Sequence, residues 1–415
     1  MKTGKKKYTK KKASKKKVSK KKASKKKASK KKVSKKKVSK KKVSKKKVSK
    51  KKVSKKKVSK KKASKKKVSK KKVLKKKASK KTKRKLSDYT VKVTDLSLSN
   101  VKPSSFSTYY NYWADFLEMY CLFIDGRIAS IDDLDDINID SHVGNEFDVN
   151  GIDESITNNG KIEDVYNFVE SRKALFGASY PFQIEPKTRK ITLKKNLDNS
   201  HKLYLSLLIS SNPSFFKKKY HKWTKEFESF SRNILKIFMP KNSIVANFGA
   251  SGIVSNIFKS NKVKQRFIEL SKHIKIPTTV EFDKIPDNRS GDLEIDLVSW
   301  KKFAPRNNGR GSVVAFAQCS CGKDWVKKQK SIAQDTLRKY LAIKDNILSF
   351  IFVPQALRAV DGSWEKPYEI ESVIVIDRLT ILRSFKKAEL EKMYKAHFKN
   401  LLEPLLKISF NHFDI

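Results

Sequence analysis

The stretch Val313–Trp325, VVAFAQCSCGKDW, decides how the second half of the chain is read. Its opening run, VVAFA, carries no charge, as in a central strand buried on both faces. It then breaks into Gln318, Ser320, Lys323 and Asp324, so the polar groups gather at the C-terminal end of the strand, where open α/β sheets place their sites. A period of two sets Val314, Phe316, Gln318 and Ser320 on one side.

Immediately upstream, Ser290–Trp300 (SGDLEIDLVSW) alternates acidic and aliphatic residues. On a strand this alternation puts Asp292, Glu294 and Asp296 on one face and Leu293, Ile295 and Leu297 on the other. Three like charges on one half-buried face need a cation or water to receive them, and hard carboxylate oxygens suit Mg²⁺ or Mn²⁺. A solvated strand face is the plainer alternative. Around these two segments, short β runs at Ser243–Phe248, Ile347–Val353 and Ser372–Leu382 alternate with helices expected at Phe215–Phe238, Lys262–Ile274 and Asp324–Lys344. Such alternation predicts an α/β domain with helices flanking a sheet.

An acidic strand of pattern D-x-x-x-D-aliphatic, a Gly/Arg-rich connection at Asn307–Gly311, an apolar strand ending in Gln-Cys and a basic helix together resemble the PD-(D/E)xK nuclease superfamily. The nearest branch is the Mrr-like restriction endonucleases, in which Gln replaces the acid of the second half-motif. The resemblance covers about a third of the chain and implies a restriction-endonuclease-like mixed sheet flanked by helices, with an insertion at residues 249–285. It implies that Asp296 and Gln318 hold a divalent metal, with Asp292 or Glu294 adding further ligands, and that Glu228 supplies the acid of the first core helix. Ser320 stands where the family has its lysine, so Lys323 is the displaced candidate, with Lys327 and Lys328 as others. The activity implied is metal-dependent hydrolysis of phosphodiester bonds, with DNA as the expected polymer. The alternative is a catalytically inactive nuclease-like or histone-like protein that binds nucleic acid.

Towards the N-terminus, Tyr109–Ile124 (YYNYWADFLEMYCLFI) is apolar at helical spacing and reads as core. Helices are expected at Ile162–Phe176 and His201–Ile209, with a hairpin between them at Phe182–Glu185 and Lys190–Leu193. Pro213 interrupts the helical pattern. Residues 86–212 are therefore expected to form a mainly helical accessory domain and residues 213–415 the α/β domain. Asp132–Glu154 holds nine carboxylates among Gly and Asn, as an acidic surface loop would.

Residues 1–85 obey different physics. They hold 51 of the 100 Lys and Arg and no acid, in a repeat of the form KKK[A/V]S. A period of five builds no apolar face in helix or strand, and isolated Val and Ala cannot offset about 1–2 kcal/mol of backbone entropy per ordered residue. A disordered polycation is expected, and its composition resembles the lysine-rich tails of linker histones and bacterial histone-like proteins. Its partner by charge is nucleic acid, held non-specifically through released counterions. The remaining residues carry a net charge of only +9.

The three cysteines, Cys121, Cys319 and Cys321, make no disulfide framework, and their C-x-C spacing is not that of a zinc finger. No apolar run reaches the roughly 20 residues of a membrane span. An intracellular setting without a membrane partner follows as the expectation: cytoplasm or nucleoid, or the nucleus in a eukaryote. The sequence leaves the oligomeric state open, a dimer included. One more motif has two readings: FFKKKYHKW, Phe215–Trp223, interleaves aromatic and basic residues as single-strand binders do, and equally as an amphipathic helix with a basic solvent face does.

Overall fold

A computed structural model describes residues 91–103, 109–130, 132–133, 154–218, 220–249, 257–286, 293–303 and 311–411. The polylysine tail, most of the acidic stretch 132–154 and Asp292 lie outside the described residues.

The first part of the chain is built on helices α1 (Tyr110–Phe123), α2 (Glu154–Phe176) and α3 (Asn199–Ser210). Beside them, strands β1 (Ile128–Ser130), β2 (Phe182–Glu185) and β3 (Lys190–Leu193) form a small antiparallel sheet of order β1-β3-β2. The hairpin is where the alternation around Pro186–Arg189 predicts it, with Phe182 opposite Leu193 and Ile184 opposite Ile191. Asp198 caps α3, its Oδ1 accepting from the backbone N–H groups of Ser200 and His201.

Helix α4 (His221–Phe238) leads into a five-stranded mixed sheet of order β4-β5-β6-β7-β8. Its strands are β4 (Ile244–Asn247), β5 (Leu297–Lys302), β6 (Ser312–Cys319), β7 (Ile347–Phe352) and β8 (Ile374–Ile376). The β4/β5 and β5/β6 pairs are antiparallel, and β6/β7 and β7/β8 are parallel. Helix α5 (Val263–Ile274) and the short helices α6 (Trp325–Lys328) and α7 (Gln334–Arg338) lie between these strands in sequence. The chain ends in α8 (Arg378–Arg383), α9 (Lys387–His397) and α10 (Lys399–Leu405).

Both faces of the sheet are covered, which is why β6 reads as an unbroken apolar run. Leu297, Ala315, Ala317, Phe350 and Phe352 join one core with Phe227 and Phe230 of α4. Val298, Val314, Phe316 and Ile351 join the other with Phe267 and Leu270 of α5 and Leu337 of α7. The first core also contains Phe116, Leu117 and Leu207, so residues on either side of position 213 share it, and Tyr89–Ile415 forms one compact unit.

Several elements differ from their expected form. The acidic strand is shorter than its alternation suggests: Leu293 and Glu294 have φ of 55° and 61°, a left-handed turn, and β5 begins only at Leu297. No strand face therefore carries Glu294 and Asp296 together. The helix expected over Asp324–Lys344 is broken after Lys328 into a 3₁₀ turn, Gln329–Ile332, and α7. Distant groups capture its polar atoms instead: Gln329 bonds the backbone of Glu369 and Glu371 at 2.8 and 2.9 Å, and the Ser349 hydroxyl donates to the Ile332 carbonyl at 2.6 Å. The helix expected from Phe215 starts at His221, because Phe216 forms a bridge to Leu96 and the Lys217 N–H bonds the Asp95 carbonyl. The β run Ser372–Leu382 turns helical at Arg378, where the Asp377 side chain accepts from the Thr380 N–H at 2.9 Å.

Candidate functional site

The end of the sheet formed by the C-termini of β4 and β6 and the N-terminus of β5 gathers the polar residues. Asp296 directly precedes β5 and is fixed by its own backbone: its N–H donates to the Ala317 carbonyl at 3.0 Å, and its carbonyl accepts from Phe248 and Gly249 at 2.7 and 3.0 Å. Its carboxylate Oδ2 accepts from the Cys319 N–H at 2.8 Å. Leu297 pairs with Ala317, so one step further along the register Asp296 stands opposite Gln318.

Glu228 comes from α4, one of the few acids buried in this core at 5% exposure. The Asn247 side-chain amide, at the end of β4, donates to Glu228 Oε1 at 2.8 Å, and the Asn247 Oδ1 accepts from Arg232 Nη1 at 3.2 Å. Asn247 pairs with Leu297, the residue after Asp296, so Glu228 and Asp296 come to the same end of the sheet. The Cys319 thiol is pushed well above its ordinary pKa by burial first, then by the Asp296 and Glu228 charges, with Ser231 opposing. A thiol so placed is a poor nucleophile at neutral pH, which makes Cys319 a packing group of the site.

Gln318 is 5% exposed, and its Oε1 has no hydrogen-bond partner among the described residues; the same is true of the Ser320 hydroxyl, which is fully buried. A buried acceptor left without a donor costs about 1–3 kcal/mol, and such an atom is suited to receive a cation or a water. Glu294 is exposed on its turn, away from the strand face that would have made it a ligand.

Lys323 lies elsewhere. Its Nζ is 5.2 Å from the centroid of the Tyr112 ring on α1, and its pKa is lowered by partial burial, with Asp115 opposing. The turn that carries it is pinned by Gln355, whose amide donates to the carbonyls of Cys321 and Gly322, both at 3.0 Å. Lys328 on α6 pairs with Asp324 across 3.5 Å, and its charge opposes the effects of burial, Asp296 and Glu228 on the Cys321 thiol. Burial raises that thiol most, and Lys328 draws it down.

Among the described residues no group of three or more His, Cys, Asp or Glu is arranged to hold a metal ion. Glu228, Asp296 and Gln318 offer oxygen atoms of the type Mg²⁺ takes; Asp296 stands opposite Gln318, but Gln318 shares the Phe316 side of β6, towards α5, whereas Glu228 comes from α4 on the other side. Asn247 was not marked by any motif; its only sequence signal is its position at a strand end. No described helix is long and apolar enough to cross a membrane. Compared with family models, with curated proteins and with solved structures, the chain matches none.

Proposed function

We propose that the chain is a metal-dependent nuclease of restriction-endonuclease-like fold that hydrolyses phosphodiester bonds in nucleic acid, with DNA as the expected polymer. The observation that carries this reading is that Asn247, paired with Leu297 beside Asp296, donates to Glu228 at 2.8 Å, so two carboxylates 68 positions apart in the sequence come to one end of the sheet. The order helix, strand, strand, strand, helix, strand over residues 221–352, with α5 inserted between the first two strands, supports it, as does the antiparallel, antiparallel, parallel pairing of β4 to β7.

In this reading Asp296 and the Gln318 Oε1 opposite it hold Mg²⁺ or Mn²⁺, and Glu228 is the acid of the first core helix. The ion, when bound, stabilises charge on phosphoryl oxygens and lowers the pKa of a bound water. The chain's own part is to fix the donors. The backbone bonds of Asp296 leave it little freedom, and Asn247 holds Glu228 in place. A neutral amide binds a divalent cation more weakly than a carboxylate, so dependence on millimolar metal is expected. The three free thiols fit a reducing, intracellular setting.

One observation favours the second reading, binding without cleavage: Ser320 occupies the lysine position and Lys323 is engaged over Tyr112. Nicking of supercoiled plasmid with Mg²⁺ or Mn²⁺ separates the two. The nuclease reading expects nicking by the full chain and its loss in Asp296→Ala and Glu228→Gln. Nicking that persists in both variants rules out this site, and salt-sensitive DNA retardation without nicking selects the binding protein.

A further inference from the structure

The segment FFKKKYHKW had two readings, and the structure separates its residues. Phe215, Phe216 and Trp223 are buried in the first core, so they are not a stacking surface. Lys217, Lys218, Tyr220, His221, Lys222 and Lys225 are exposed. Tyr220 keeps 39% of its surface in solvent, and its ring lies 4.1 Å from that of His221, tilted by 36°. An exposed aromatic pair does not serve the core. It gives instead a partly overlapping ring pair in solvent, with four exposed lysines within a few residues of it.

The end of α4 strengthens the positive field. No side chain caps it, and no acid stands in its first turn, so its leading N–H groups add their partial charge to the lysines. The nearest acid on the helix, Glu226, is engaged by His397 Nδ1 at 2.7 Å. Opposite, the Asp95 carbonyl accepts the Lys217 N–H, which fixes the lysine loop against the neighbouring segment.

The helix also gives this patch a direction. His221, Lys225, Glu228 and Arg232 are spaced i, i+4, i+7, i+11 and fall on one stripe of α4. At about 1.5 Å rise per residue, Glu228 is roughly 10 Å along the axis from His221, which is the reach of one or two nucleotides.

We propose that this exposed end of α4 binds single-stranded nucleic acid, with Tyr220 and His221 stacking on a base and the flanking lysines holding the phosphates, and that it feeds the strand towards Glu228. The destination rests on the nuclease reading; the binding surface does not. Sequence-tolerant affinity for single strands follows from base–aromatic stacking, which duplex DNA cannot offer because its bases are already stacked.

The test uses the full chain, in EDTA and in the Asp296→Ala background, so that cleavage plays no part. A single-stranded oligonucleotide carrying 5-iodouracil, as DNA and as RNA, is photo-crosslinked and the adduct mapped by mass spectrometry. Affinity for the single strand and for the matching duplex is measured by anisotropy at salt high enough to suppress the polylysine attraction. An adduct on Tyr220 or His221 is expected. Tyr220→Ala should lower the single-strand to duplex affinity ratio by about tenfold while Tyr220→Phe preserves it. Adducts confined to other residues, or a ratio unchanged in Tyr220→Ala, overturn the proposal. Absence of nicking by the unaltered chain, with the Tyr220 or His221 adduct and the Tyr220→Ala effect both found, would fault only the nuclease reading.

Discussion

Arg378 grips Asp115 across 263 positions of the chain, donating from Nη1 to Oδ1 at 3.1 Å and from Nη2 to Oδ2 at 2.8 Å, with no more than 3% of either side chain exposed. Arg172 Nη1 completes the cluster at 2.8 Å from Asp115 and 2.9 Å from Glu118, and the hydroxyls of Tyr180 and Tyr204 donate to Glu118. Burial alone would raise the Asp115 pKa, but Arg378 and Arg172 outweigh it and hold the carboxyl below its ordinary range. The pair ties α8 to α1 through charge as well as packing.

Removing one partner leaves a buried charge short of its counter-ion, so Arg378→Met should lose about 3–5 kcal/mol of unfolding free energy. Arg378→Lys should fail to restore it, because an ammonium cannot make the two parallel bonds. The double variant Asp115→Leu with Arg378→Met should be less damaged than the summed single changes. Urea unfolding of the parent, the three single variants and the double variant checks this; additive losses would show that the pair is not coupled.

Much of the fold was legible because it rests on local periodicity. The hairpin Phe182–Leu193 and the unbroken run of β6 both follow from side-chain alternation and burial. What could not be read depends on partners far away in sequence. Tyr109–Ile124 was legible as core, yet nothing local revealed that Asp115 and Glu118 within it are matched by Arg172 and Arg378. The break at Gln329 comes from backbone atoms of Glu369 and Glu371. At the site, strand ends pointed to Asp296 and Gln318. The direction of Lys323 depends on Tyr112, and the support of Glu228 on Asn247; neither contact leaves a pattern in the chain.

Glu365 sets a pH dependence. Its Oε1 accepts from the Tyr110 N–H at 2.9 Å, at the start of α1. Burial pushes its pKa up to about 7, with the backbone of Tyr110 and Asn111 and the charges of Lys366 and Arg172 opposing. A carboxyl whose folded pKa exceeds its unfolded one binds more protons when folded, so its contribution weakens as pH rises from the ordinary carboxylate range to about 7. The slope is at most about 1.4 kcal/mol per pH unit. Glu365→Gln should flatten this part of the stability curve, measured as urea midpoints between pH 5 and 8. A curve that keeps its slope in the variant would assign it to other groups.

The two lysines near the sheet end should behave differently in any cleavage assay. Lys323 is held over Tyr112, whereas Lys328, paired with Asp324 at 3.5 Å, stands on the helix after β6 with its charge felt by the Cys321 thiol. A positioned ammonium in such a reaction contributes about 10²-fold or more. Lys328→Met should therefore reduce metal-dependent nicking strongly, and Lys323→Met should change it by no more than about threefold. The opposite ranking would mean that the turn after β6 rearranges when substrate binds.

The polylysine repeat should govern how binding responds to salt. Each phosphate contact steepens the fall of log affinity by about 0.9 per log unit of salt on duplex DNA. With 51 basic residues in positions 1–85 against a net +9 in all that follows, the repeat holds most of the available contacts. Deleting residues 1–85 should cut the slope for duplex DNA by several contacts' worth, yet leave the effect of Tyr220→Ala on single strands in place. Fluorescence anisotropy over a series of salt concentrations measures both. A slope that survives the deletion would transfer the electrostatic role to the lysines of the folded part, with those around α4 the first to examine.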